Sequence, residues 1–193
     1  MIELNCTIFF YHNRYHDIRA RHYCVGQKGV YDISLDLLSD FIKKYPGKAK
    51  FATIILSQIT HNNYNILGYM DDSLLKTLQE IHQLPNTILI LNSIKGNLIG
   101  KLGQLAEGVA EYKHPLLSVY VSKDLRQKYK FNKERVSQIV SPFDVHATVK
   151  ELVSGKPYTH KYGLSLFDQN FVSKRDCLKA GVSKKTCFVV KCK

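Results

Sequence analysis

Phe51-Ala52-Thr53-Ile54-Ile55-Leu56-Ser57-Gln58-Ile59-Thr60-His61-Asn62-Asn63 passes from an unbroken apolar run into a polar tip. A short run of that kind, rich in β-branched residues, reads as a strand covered on both faces. Thr87-Ile88-Leu89-Ile90-Leu91 repeats the pattern and ends in Asn92-Ser93-Ile94-Lys95-Gly96. Between the two, Asp71-Asp72-Ser73 opens a helix with Leu74, Leu75, Leu78 and Ile81 on its inner face, and Pro85 marks its exit. Upstream, Ile33, Leu37, Leu38, Phe41 and Ile42 recur at helical spacing from Val30 to Tyr45, closed by Pro46-Gly47. Downstream, Leu116 to Val121 reads as a third strand, and Ser141-Pro142-Phe143-Asp144 as a turn into a helix from His146 to Val153. Strands alternating with helices predict a layered α/β fold with a mostly parallel sheet. Residues 1–24 read as an irregular lead-in, 25–155 as the α/β domain, and 156–193 as an irregular, basic, cysteine-containing tail.

Ligands of open α/β sheets gather outside the carboxyl ends of the strands, so the two polar tips are where chemistry is expected. They are poor in it. Together they offer one histidine, no carboxylate and one lysine. A hydrolytic metal site needs clustered carboxylates and imidazoles. His61 is the best single catalytic or metal-ligand candidate, set against the commoner role of a hydrogen-bonded structural histidine. Ser57, Thr60 and Ser93 are nucleophiles only with an adjacent base and an oxyanion site, and no GxSxG elbow is present. Asp71 and Asp72 are explained by helix capping. His146, beside Val145 and Val149, reads as a packed helix histidine, and Tyr112, Lys113 and His114 as a cleft lining or a solvated loop. Gly96, Gly100, Gly103 and Gly108 fit neither the Walker nor the dinucleotide-binding spacing.

The 193 residues suffice for one good core, and 45% hydrophobic with 23% charged residues excludes global disorder. No apolar run approaches the ~20 residues of a membrane span. Residues 1–12 lack a signal peptide's basic start and apolar core. Either the protein is not exported by that route or the true beginning lies upstream. The charge is uneven: residues 1–122 hold 12 Lys+Arg and 10 Asp+Glu, residues 123–193 hold 16 and 6. The basic stretch 123–193 reads first as a solvated tail and second as a surface for an acidic glycan. Nucleic acid is not expected, because zinc-finger spacing, RNP-like aromatics and a basic helix are all missing. Five cysteines stand at 6, 24, 177, 187 and 192. Cys24, Cys177, Cys187 and Cys192 are the disulfide candidates, with pairing open, and a stapled tail implies an oxidising compartment. Asn5-Cys6-Thr7 is formally a glycosylation sequon.

Five segments taken in order, Arg21 to Gly26, Ser57 to Asn62, Asn86 to Leu91, Ser141 to Thr148, and Gly163 to Phe167 followed by Arg175-Asp176-Cys177, resemble the carboxy-terminal third of an animal sulfatase-like family (domain of unknown function 229). The resemblance covers roughly residues 20–193 and implies part of an alkaline-phosphatase-like fold. It also implies a divalent-metal hydrolase site and a secretory or extracellular setting. Carried over residue by residue, Thr60-His61-Asn62 keeps the histidine of the family's Thr/Ser-His-Asp tip and loses its carboxylate. Ser93-Ile94-Lys95-Gly96 stands where the family has Ser-Asp-His-Gly, and Leu98 where it has Arg. Gly108, Glu111 and Pro115 match an architectural motif, and Ser141 to Thr148 is intact as packing and helix-start chemistry.

The sequence therefore predicts a truncated, catalytically inactive relative of sulfatase-like hydrolases, without a cofactor, acting as a binding or interaction domain. Exposed edges of such a partial fold would favour self-association. The alternatives are a metal-dependent sulfate or phosphate ester hydrolase completed by residues elsewhere, and a basic module binding acidic glycan or nucleic acid.

Overall fold

The computed structural model describes residues 6–11, 24–25, 27–56, 64–96, 98, 100–130, 138–158, 160–168, 175–184 and 187, with backbone alone at 6–11, 25, 64, 66 and 102. They form a mixed α/β structure of six strands and four α-helices in two compact units. One takes in the described residues of 3–84 and 99–103, the other those of 85–98 and 104–193.

In the first unit β1 (Cys6–Tyr11) pairs in parallel with β4 (Lys50–Ile55), Cys6 opposite Lys50 and Tyr11 opposite Ile55. The expected irregular lead-in is thus a strand over Cys6–Tyr11, where Thr7-Ile8-Phe9-Phe10-Tyr11 are strong strand formers. β2 (Cys24–Val25) and β3 (Lys28–Gly29) make a short antiparallel ladder that leads into helix α1 (Val30–Lys44). The register of α1 differs from the expected one. Ser34, Leu35 and Phe41 are buried whereas Leu37 is exposed, so the inner stripe lies rotated from the one that Leu37 would centre. Pro46-Gly47 ends the helix as expected, with Gly47 at φ +70°. Lys50 Nζ donates to Tyr45 O at 2.6 Å and Lys48 O at 3.1 Å, satisfying carbonyls past the helix end.

A 3-10 helix (Tyr64–Met70) runs straight into α2 (Asp71–His82). Asp71 and Asp72 therefore do not cap it: Met70 occupies the N-cap, already helical, and makes no side-chain cap bond. Their charge still suits the helix amino end. Thr77 and Ile81 are buried, Leu74 and Leu78 half-buried, and Leu75 is 53% exposed, off the inner face expected for it. Leu35 and Met70 pack with Tyr31, Leu56 and Leu74. Ser39 Oγ donates to Glu80 Oε2 at 2.8 Å and Lys43 Nζ lies 3.5 Å from it, tying α1 to α2. The Ser39 hydroxyl, and then Lys43, hold the Glu80 carboxyl below its ordinary range.

In the second unit β5 (Ile88–Asn92) pairs antiparallel with β6 (Leu117–Val121), Ile88 opposite Val121 and Asn92 opposite Leu117. This corrects the expectation of a mostly parallel sheet. The described strands form three two-stranded ladders, of which one is parallel. The connection, which includes α3 (Ala106–Lys113), brings the chain back in beside Asn92, with Leu117 opposite it. The far end is closed by Ser122 N–H on Thr87 O (2.9 Å), Thr87 N–H on Ser122 Oγ (3.0 Å) and Asn86 N–H on Asp124 Oδ2 (2.7 Å).

Helix α4 (Pro142–Ser154) starts four residues ahead of the expected His146, with Pro142 at its first turn and Gly155 at φ +66° past its end. The cysteine-containing tail is not simply solvated. Ser165, Leu166, Phe167, Arg175, Cys177 and Ala180 are buried, although none lies in a helix or strand. Cys177 and Cys187 form a disulfide, and Cys24 carries a free, exposed thiol. Cys192 lies outside the described residues, as do the Cys6 side chain and Asn5. The bridge closes a loop with a sequence separation of 10, which on the loop-entropy scale stabilises by about 2–3 kcal/mol. Reduction, or Cys177→Ala with Cys187→Ala, is expected to lower the melting temperature by several degrees. An unchanged melting curve would show that the loop is already ordered without it.

Candidate functional site

The tip of β4 with Ser57, Thr60, His61 and Asn62 lies outside the described residues. The tip of β5 is described in full. Ser93 N–H donates to Leu116 O at 2.9 Å, and Ser93 Oγ accepts from Leu116 N–H at 2.8 Å, so this hydroxyl continues the ladder past the last strand residue. Ile94 is 84% exposed. Lys95 Nζ lies 5.6 Å from the centre of the Tyr112 ring, a cation–π contact. Gly96 sits against the α3 backbone: a Cβ there would come within 2.6 Å of Glu111 O and 2.8 Å of Tyr112 N. Glycine is thus required by the close approach of tip and helix. Tyr112 and Lys113 belong to α3 rather than to a loop, and His114 follows as its C-cap, its Nδ1 2.9 Å from Ala110 O.

The densest polar structure lies elsewhere, at the start of α4. Asp144 is 0% exposed. Its Oδ2 accepts from Ser141 N–H at 2.7 Å, from Ser141 Oγ at 3.2 Å and from Arg175 Nη1 at 2.7 Å, while Oδ1 accepts from Leu164 N–H at 2.7 Å. The Ser141 bond is one arm of a capping box. Arg175 also donates to Ile139 O at 3.2 Å and to Tyr162 O. Thr148 Oγ1 donates to Asp144 O at 2.7 Å and accepts from Leu166 N–H at 2.9 Å. Gly163 lies under Phe143, where a Cβ would come within 2.9 Å of Phe143 C. Each polar group here is spent on another, which makes this a structural clasp holding the 160–168 and 175–184 segments to α4.

Outside the clasp, α4 and the following loop share a ring cluster. Phe143 stacks on His160 (centroids 5.4 Å apart, planes at 14°), and His146 meets Tyr158 edge-on at 5.6 Å. His146 is exposed rather than packed as its apolar neighbours suggested. Among the described residues, no group of three or more His, Cys, Asp or Glu side chains could hold a metal ion. None of the described helices is long and apolar enough to cross a membrane.

The family described as "Protein of unknown function (DUF229)" matches residues 7–193. The chain belongs to this family. No curated protein and no solved structure matches it. The DUF229 match begins within β1 and runs through the clasp to the last residue, so both compact units fall inside it. Arg175 and Gly163 entered the sequence reading as parts of resembling segments. Their pairing with Asp144 and Phe143 had no local signal.

Proposed function

We propose that this DUF229 protein is a sulfatase-like domain without hydrolytic activity that acts by binding. The observation that carries this reading is the tip of β5. Where a metal-dependent relative would need oxygen and imidazole donors, Ile94 offers none and faces solvent, and Lys95 is an ammonium held over Tyr112. Residues of this chemistry do not fit a divalent cation. At about 4 Å and an effective dielectric near 20, repulsion costs about 4 kcal/mol per unit charge. Ser93 is committed to the ladder through Leu116. The Cys177–Cys187 bridge supports an oxidising, secretory or extracellular setting.

The purified chain, titrated with zinc and with calcium in a calorimeter and incubated with an aryl sulfate and an aryl phosphate, is expected to show neither saturable metal binding nor turnover above buffer. Tight metal binding together with hydrolysis, abolished by His61→Ala without loss of folding, would restore the enzyme.

A further inference from the structure

Phe143, His146 and Lys150 recur at helical spacing along one side of α4, and the loop beyond Gly155 brings Tyr158, His160 and Lys161 to them. Lys150 Nζ lies 5.8 Å over the Tyr158 ring and Lys161 Nζ 5.0 Å over the Tyr162 ring. His146 and His160 are 6.3 Å apart, centre to centre. Phe143 is 39% exposed, and both lysines and His146 are exposed. Tyr162 N–H donates to His160 Nδ1 at 3.2 Å, so in the neutral ring Nε2 carries the proton. Of the carboxylates in residues 142–162, Asp144 is buried and paired with Arg175, and Glu151 is half-buried one residue round the helix from Lys150.

We infer that this face binds a sulfated polysaccharide. The clustered rings, Phe143 stacked on His160 and His146 set edge-on to Tyr158, offer a weakly hydrated apolar surface for the CH face of a pyranose, with polar tips at the margin. Lys150 and Lys161, each over a tyrosine ring, flank it as point charges suited to sulfate oxygens. The platform is built in advance: Gly181 lies against the Phe143 ring, Gly163 against its backbone, and Arg175 holds Tyr162 O. Little ordering is left for the moment of binding. The surplus of 16 Lys+Arg over 6 Asp+Glu in residues 123–193 attracts a polyanion at long range. The disulfide favours one class of polyanion. Such bridges are characteristic of oxidising compartments, where sulfated glycans, rather than nucleic acids, are the abundant ones.

This deepens the reading of a binding domain and rests on it, but its readout is separate, since turnover and metal uptake do not enter. The full chain is titrated with a size-defined heparin oligosaccharide over a salt series, beside Lys150→Gln with Lys161→Gln and beside His146→Ala, with melting curves for each. Saturable binding is expected, weakened about tenfold in the double lysine variant and several-fold in His146→Ala at unchanged melting temperature. The lysine variant should also show a shallower salt dependence. Desulfated heparin should bind at least tenfold more weakly than the sulfated chain. Absence of binding, binding that these variants leave unchanged, or equal affinity for single-stranded DNA or polyglutamate would overturn the proposal. The last result would reduce the face to unspecific charge.

Discussion

Arg175→Met is expected to cost the protein about 3–5 kcal/mol of unfolding free energy. The substitution leaves the Asp144 carboxylate 0% exposed without its cation, and strips Ile139 O and Tyr162 O of a donor. Removing one partner of a buried pair is far costlier than the pair's net worth, because the remaining charge keeps its desolvation penalty. Arg175→Lys should recover only part of the loss, since a single ammonium cannot reproduce the fork that spans a carboxylate and two carbonyls. Asp144→Ala should be comparably severe: it strands the N–H groups of Ser141 and Leu164 as well as the guanidinium. The double variant should cost less than the two singles summed, as expected for residues in direct contact. Urea denaturation followed by tyrosine fluorescence is suitable, with 12 Tyr and no Trp in the chain. A loss below about 1 kcal/mol for Arg175→Met would mean that water reaches the pair and screens it.

Gly163→Ala is expected to destabilise by about 3 kcal/mol, near the upper end for overpacking. The added methyl would overlap the Phe143 carbonyl, an atom fixed in the first turn of α4 and unable to swing aside like a side chain. Gly47→Ala is the control. It has φ +70° with nothing within 4 Å of the added Cβ, so only backbone strain remains, about 1–2 kcal/mol. Equal losses at the two positions would show that the loop carrying Gly163 can move away from α4. Because Phe143 also belongs to the ring face, the Gly163 variant should weaken heparin binding beyond its loss of folded protein.

Much of the element list was legible in local pattern. Apolar spacing and Pro46-Gly47 placed α1, the acidic start and Pro85 placed α2, and the runs at 51–56, 87–91 and 116–121 placed three strands within a residue or two. Errors arose where a pattern has two solutions. Leu35 and Leu37 both fit a helical stripe, and the buried one was settled by Met70 and Leu74. Leu75 fits the α2 stripe yet stays exposed, because it lies round the helix from Thr77 and Ile81. Alternation of strand and helix suggested parallel crossovers, but an apolar strand records nothing about the direction of its neighbour. For β5 that direction appears only in the tertiary pairing, where the chain returns beside Asn92. The candidate site was legible only as a strand tip poor in metal donors. Ile94 and Lys95 speak from the sequence alone, whereas the ring face needed the loop beyond Gly155 folded back on α4.

What the chain states residue by residue is therefore α1, α2 and α4, the strands β4 to β6, its basic carboxy-terminal stretch and the donor-poor tip of β5. Each depends on neighbours a few positions away, where spacing, a proline or a charge acts directly on the backbone. The partner of Asp144 stands 31 residues on and that of Ser93 stands 23. Such pairings, the choice of Cys187 for Cys177 and the antiparallel sense of β5 and β6 all require distant segments to compete for the same buried space. That competition is decided by packing and by the cost of stranding a buried charge or donor, and no local pattern encodes its outcome.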